Sequence, residues 1–178
     1  AIEPLQSARF DRVLSLSHCV AKSVVAPGGV PHLCYCFTPM RYAWDQFDAY
    51  FGVEKVGRVG SAVMRPVMKR MARWDRETSN RPDRYVAISH YVAGRIARYY
   101  NRGASVVYPP VDTAFYHPDG TTPESFALIV SALVPYKRIE LAIEACHLAH
   151  LPLKIVGDGP ERPALERLAA GRAEFLGR

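Results

Sequence analysis

Residues 128–161 read Leu128-Ile129-Val130-Ser131, a loop ending Pro135-Tyr136-Lys137-Arg138, a stretch of helical period, then Leu153-Lys154-Ile155-Val156 running into Gly157-Asp158-Gly159-Pro160-Glu161. Strand, basic loop, helix, strand and glycine turn in that order make half of a Rossmann-type α/β unit, an architecture suited to phosphate-bearing nucleotides. A helix beginning just after Lys137 leaves its first backbone N–H groups unpaired and the positive end of its dipole exposed. A diphosphate placed there meets donors and a cation together. Lys137 supplies a mobile point charge, and Arg138 is the second candidate for phosphate contact. Gly157 and Gly159 permit positive φ and a close backbone approach to a nucleotide; the alternative is a plain strand-to-helix turn. The G-x-G-x-x-G fingerprint is absent, and Ser131-Ala132-Leu133 occupies the first turn, which argues against an ordinary NAD site.

Outward from this stretch, strand and helix alternate along the chain. Residues 12–17 and 32–37 read as short strands separated by Pro27-Gly28-Gly29-Val30-Pro31. An aromatic-rich helical stretch begins at residue 41. Residues 84–88 form a strand, and Ser89 is an N-cap for a helix with Val92, Ile96 and Tyr99 on one face and Gly103 beyond its end. Residues 105–108 are a further strand. Pro109, Pro110, Pro118, Gly120 and Pro123 give 111–123 the composition of a linker. Strands at 126–131, 153–156 and 174–176 then alternate with helices at 138–150 and 161–170. Parallel sheets with right-handed crossovers follow from that alternation.

Length and composition bound the possibilities. The 178 residues suffice for one whole domain or two partial ones. With 49% apolar residues the chain can bury a core, and no apolar run approaches the roughly 20 residues that span a bilayer. No charged-then-apolar N-terminal signal appears. Cysteines at 19, 34, 36 and 146 lack C-x-x-C spacing, and Cys34 and Cys36 share one face of a strand. They read as buried reduced thiols. No second carboxylate or histidine lies close to Asp158, and no essential metal is expected.

The net charge of +6 is concentrated. From Lys55 to Arg76 there are seven basic residues and one acid, Asp75, a surplus equal to that of the whole chain. Met64, Val67, Met68 and Met71 fall on one helical face, with Arg65, Lys69, Arg70 and Arg73 mostly elsewhere, and Pro66 fits best in the first turn. Three readings compete for this basic amphipathic helix. It is a docked surface helix with a solvated basic face, or an attachment to an anionic membrane surface through Arg65, Lys69, Arg70 and Arg73, or a nucleic-acid patch. No nucleic-acid motif accompanies it, so no nucleic-acid partner is expected.

Several further segments carry a resemblance. They are Asp11 to Lys22 (DRVLSLSHCVAK), Thr38 to Asp45 (TPMRYAWD), Ala87 to Val92 (AISHYV), Val107 to Asp112 (VYPPVD), Val134 to Arg138 (VPYKR) and Val156 to Glu161 (VGDGPE). In this order they resemble the family-4 retaining glycosyltransferases of the GT-B fold, mannosyltransferases among them, over most of the chain. The resemblance implies an α/β protein with Rossmann-like parallel sheets that are parts of the two GT-B domains. Residues 1–110 would belong to the acceptor-side (N-terminal) domain, 111–123 to an interdomain linker, and 124–178 to the first part of the donor-binding (C-terminal) domain. It implies transfer of a hexose, mannose being one candidate, from a GDP- or UDP-linked sugar to a saccharide or lipid-linked acceptor with retention, as in polysaccharide biosynthesis. The nucleotide sugar is a substrate, and no cofactor is expected. The enzyme would be cytoplasmic, peripheral at the inner face of the membrane.

By the same resemblance Lys137, Arg138, Gly157 and Gly159 contact the donor, His18 is the catalytic candidate after the first strand, and Arg41, Tyr42, Trp44 and Asp45 bind the acceptor. His90 and His117 read as structural. The departures are specific. Ala132 stands where the family commonly has an arginine, and Phe37 where many members have a histidine. The family's glycine-rich opening is not found ahead of Arg9, nor its glutamate pair before Arg178, so the chain reads as the middle of a larger enzyme, inactive alone. A dimer or partner chain completing the fold is expected, because an interrupted Rossmann half exposes sheet edges. A non-catalytic nucleotide-binding or partner-binding subunit is the alternative.

Overall fold

The computed structural model describes residues 10–177, and the chain divides into two compact units, 1–112 and 113–178. The first unit carries four parallel strands, β1 (Val13–Ser17), β2 (His32–Cys36), β3 (Arg84–Ala87) and β4 (Ala104–Val106), in the spatial order β1-β2-β3-β4. Register sets Ser15 beside Cys34, Cys34 beside Tyr85, and Tyr85 beside Ala104. Four helices accompany them: α1 (Arg41–Trp44), α2 (Phe47–Phe51), α3 (Val53–Glu77) and α4 (His90–Tyr100).

The core of this unit gathers Cys34, Cys36, Tyr85 and Ala87 from the strands with Val92, Ile96, Tyr99 and Tyr100 from α4. Complete burial of Ile96 contributes roughly 1.5–3 kcal/mol. Ser89 caps α4 as its sequence promises, accepting a hydrogen bond from the Val92 N–H at 3.2 Å. Beyond the other end it is Asn101, not Gly103, that takes the left-handed conformation, at φ 55°. Asparagine tolerates that region because its short polar side chain bonds locally.

β1 turns its polar side inward. Val13, Ser15 and Ser17 are buried while Leu14 and Leu16 are exposed. The serines are tolerated inside because each has a partner. Ser15 Oγ lies 2.8 Å from His32 Nε2, and Ser17 Oγ accepts the Lys22 N–H at 3.2 Å. Burial holds the His32 imidazole below its ordinary value near 6.5, against opposing effects of the Asp83 charge and the Arg81 backbone. Cys34 and Cys36 are free, buried thiols; their mutual hydrogen bond lowers Cys34 and raises Cys36.

α3 departs from the expectation for Pro66. The helix already runs through residues 58–65 after a break at Gly57, whose φ is 73°, so Pro66 sits in its interior instead of its first turn. Pro66 is exposed. A prolyl ring there removes one N–H from the ladder, and the helix persists because Ser61, Met68 and Asp75, seven residues apart, remain buried along its opposite side.

The second unit has three parallel strands, β5 (Ala127–Val130), β6 (Leu153–Val156) and β7 (Ala173–Gly177), in the order β5-β6-β7, with α5 (Ile139–Leu148) and α6 (Arg162–Ala169). Leu133, Ile139, Ile143, Leu153, Ile155, Leu165 and Ala169 form its core. Residues 107–126 contain neither helix nor strand. Both sheets alternate along their strands, one face packed and one open, with Leu128, Val130 and Leu176 exposed in the second sheet as Leu14, Leu16 and Leu33 are in the first. The protein is thus an α/β protein built on two Rossmann-like parallel sheets.

Candidate functional site

In open α/β sheets ligands sit beyond the carboxyl ends of the strands. At that end of the second unit, Val130, Ser131, Ala132, Val156, Gly157 and Asp158 bound a cavity of about 400 Å³. The loops after β5 and β6 are tied backbone to backbone. Ser131 N–H donates to Val156 O at 3.0 Å, Leu133 N–H to Asp158 O at 2.9 Å, and Glu161 N–H to Leu133 O at 3.1 Å. This contact is what requires the glycines. A Cβ on Gly157 would lie 1.8 Å from Ser131 O, and one on Gly159 2.4 Å from Leu133 O. Asp158 stays local, its Oδ1 accepting from the Gly159 N–H at 2.8 Å.

Further along the loop after β5 the chain makes a turn of 3₁₀ helix at Pro135–Lys137, and Arg138 enters α5 at φ 52°. Lys137 is exposed, its Nζ 5.6 Å from the centre of the Tyr136 ring. Arg138 pairs through Nε with Glu140 Oε1, which holds that carboxyl below the usual range. Gly157 lines the cavity; Lys137, Arg138 and Gly159 do not.

In the first unit His18 is exposed directly after β1. Its neighbour Cys19 meets Tyr42, Sγ to OH 2.8 Å, and burial followed by this contact raises the Tyr42 hydroxyl above its ordinary range. Tyr42 packs edge-on against Tyr50 and Phe51, and Arg41 is exposed at the start of α1. Trp44 and Asp45 have partners inside the unit. The Trp44 ring stacks on Tyr99 at 4.7 Å, and its indole N–H donates to Asp75 Oδ2 at 2.7 Å. Asp45 receives both terminal nitrogens of Arg95 and the Tyr99 hydroxyl; the Arg95 hydrogen bonds hold it below the usual carboxylate range.

Around that pair lies a cavity of about 320 Å³ lined by Asp45, His90, Tyr91, Gly94, Arg95, Arg98 and Tyr99. Arg95 and Arg98 were not singled out by sequence reasoning. Their signal was present in the spacing of Tyr91, Arg95 and Arg98, which places them on one face of α4.

A second feature without a sequence signature is a buried ion pair. Lys22 Nζ sits 3.0 Å from Asp75 Oδ1 with the two side chains 1% and 0% exposed. The ammonium also donates to Asp75 O at 2.8 Å and Thr78 Oγ1 at 2.9 Å, and Tyr100 OH donates to Asp75 Oδ2 at 2.9 Å. Of the residues expected on a basic helix, Arg65 pairs with Asp48 at 3.2 Å and covers the Phe47 ring, while Lys69, Arg70 and Arg73 are exposed. Among the described residues no cluster of three His, Cys, Asp or Glu is placed to hold a metal, and no helix is long and apolar enough to cross a membrane.

No family profile and no curated protein matches this sequence. Among solved structures, the chain is similar to a point mutant of S. aureus TarM in complex with Fondaparinux, alpha-GlcNAc-glycerol and UDP, with a TM-score of 0.58 at 15% identity. The match covers 84% of this chain and 29% of that protein, so the chain spans under a third of TarM's length. At that identity the likeness is one of fold.

Proposed function

We propose that this chain is part of a retaining glycosyltransferase of the GT-B type, moving a hexose from a nucleoside-diphosphate sugar to a saccharide or lipid-linked acceptor. The observation that carries this reading is the cavity at the carboxyl ends of β5 and β6, walled by two loops whose backbones are hydrogen-bonded to each other where Gly157 and Gly159 allow the close approach. Lys137, on the loop after β5, stands exposed one residue before the left-handed turn into α5. The UDP held by TarM supports a nucleoside diphosphate as the ligand. GDP is the other nucleotide considered, and mannose one candidate hexose, by analogy alone.

As the bond from the anomeric carbon to the diphosphate oxygen breaks, negative charge accumulates on the leaving group. The opening N–H groups of α5 and the Lys137 ammonium would neutralise it, and fixed donors of this kind are worth about 10²–10³ in rate each. Arg138, paired with Glu140 through Nε, would join them through its terminal nitrogens. On the first unit, His18, Arg41 and Tyr42 are assigned to the acceptor, with the cavity around Asp45 and Arg98 as its second contact. Trp44 is better read as packing. Residues 1–110 would then be acceptor-side, 111–123 the linker and 124–178 donor-side.

A nucleotide-binding or partner-binding subunit without catalysis is the second reading, favoured by Ala132 in place of an arginine and by the pairing of Arg138. Calorimetry with UDP, GDP and their glucose and mannose conjugates tests both. Binding that Lys137→Ala weakens at least about tenfold is expected, since charge-assisted hydrogen bonds contribute roughly 1.5–3 kcal/mol. Sugar transfer to an added acceptor by the full-length protein supports the enzyme. Binding without transfer selects the second reading, and no binding by any of these ligands removes both.

A further inference from the structure

The cavity along α4 carries a positive charge that its own lining does not balance. Asp45 reaches it from the chain that follows β2, and the rest of the lining comes from α4, which follows β3. It therefore stands over the carboxyl ends of two neighbouring strands, the edge at which open sheets take ligands, and His18 directly follows the third strand of that edge, β1. Tyr91, Arg95 and Arg98, spaced four and three apart, share one face of the helix.

The two arginines differ in what they do. Arg95 is 7% exposed, and each of its guanidinium nitrogens has a partner: Nε donates to Thr38 Oγ1 at 3.2 Å, and both terminal nitrogens donate to Asp45. Asp45 is the only acid in the lining, and this pair neutralises it. Arg98 is exposed and has no acid partner among the described residues. Its guanidinium carbon nevertheless lies 5.4 Å from the centre of the Tyr99 ring, which Arg95 also covers at 5.1 Å and on which Trp44 stacks. A cation held against a fixed, packed ring keeps its place, so the unbalanced charge is part of the cavity wall. Tyr91, 74% exposed, adds the bare face of a second ring.

We propose that this cavity holds one acidic sugar unit of the acceptor, its ring against Tyr91 and its anionic group, a carboxylate or a phosphate ester, on the guanidinium of Arg98. A volume of about 320 Å³ is at the small end of the roughly 300–1,000 Å³ of ligand sites and gives room for a single ring. The aromatic face suits the C–H face of a sugar, and the planar N–H fork suits an anion. A neutral sugar would leave Arg98 without a counter-charge, and a small free anion would leave Tyr91 uncovered. The inference rests on the sugar-transfer reading for the role of this sugar as acceptor, while its binding needs the first unit alone.

The test is a heteronuclear NMR titration of the chain with glucuronic acid, a glucose phosphate, glucose and acetate. An acidic sugar is expected to shift the amide signals of Tyr91, Gly94 and Arg98 and to bind about tenfold or more tighter than glucose. The tighter of the two acidic sugars identifies the anionic group. Arg98→Gln, at an exposed position, should erase the preference with an unchanged thermal midpoint. Lys69→Gln removes the same charge from α3 and should leave the preference intact. Tyr91→Ala should weaken the acidic sugar about threefold or more. No shift at these amides, equal affinity for glucose, equal loss in the two charge variants, or acetate binding as tightly as glucuronic acid overturns the proposal. Calorimetry with UDP keeps the two readings apart. UDP binding without acidic-sugar binding removes this inference alone, whereas acidic-sugar binding without UDP binding removes the transferase reading and leaves a sugar site on the first unit.

Discussion

Gly157 shows how a residue can be legible in type while one of its structural demands is not. The sequence marks a glycine turn after a strand, and the inference from that is a backbone kept clear for a ligand. The structure shows that the first thing its missing side chain makes room for is Ser131 O, which a Cβ would approach to 1.8 Å, at a φ of 141°. Gly157→Ala should therefore destabilise the second unit by at least about 2 kcal/mol, read from urea denaturation, whether or not a nucleotide is present. A change in affinity with unaltered stability would restore the ligand explanation. The same limit applies to Asp45 and Trp44. Their types suit a sugar site, but no one-dimensional pattern reveals that Arg95, fifty positions away, holds one and that Asp75 and Tyr99 hold the other.

Among elements, strands and helices were the most readable part, because alternation and helical period are local properties. β6 coincides with its sequence-derived bounds, and α4 with its Ser89 cap follows from the spacing of Val92, Ile96 and Tyr99. α3 was the least readable. Its sequence announces an apolar face of Met64, Val67, Met68 and Met71, but only Met68 is buried and Val67 is 44% exposed, a division set by tertiary packing, and the helix starts well before Pro66. Because Pro66 is exposed and interior, Pro66→Ala should restore a helical hydrogen bond and raise stability by about 1–3 kcal/mol, measured as a shift in the thermal or urea midpoint. No gain would mean that the helix bends at Pro66 and that its neighbours have adapted to the bend.

In the whole molecule the two cores share no residue, one being centred on Ile96 and the other on Ile155. Both tryptophans, Trp44 and Trp74, belong to the first unit. Ile96→Ala should lower the midpoint of tryptophan fluorescence unfolding, and Ile155→Ala should shift only the far-UV dichroism, each by about 2–5 kcal/mol for its own unit. Equal effects on both signals would show one cooperative transition. The division into units was suggested in the sequence by the proline-rich stretch near 109–123, whereas the open face of each sheet was not, since Leu14 and Leu128 look like core residues until their neighbours are known. The Lys22–Asp75 pair adds a consequence for descent. Asp75 is gripped at once by the loop after β1, by Trp44 and by Tyr100, so the loss of that one carboxylate strands an ammonium, an indole and a phenol in a dry interior. Positions 22, 44, 75 and 100 are therefore expected to change together among relatives, replacement of the aspartate being accompanied by replacement of the lysine, which comparison of related sequences will check.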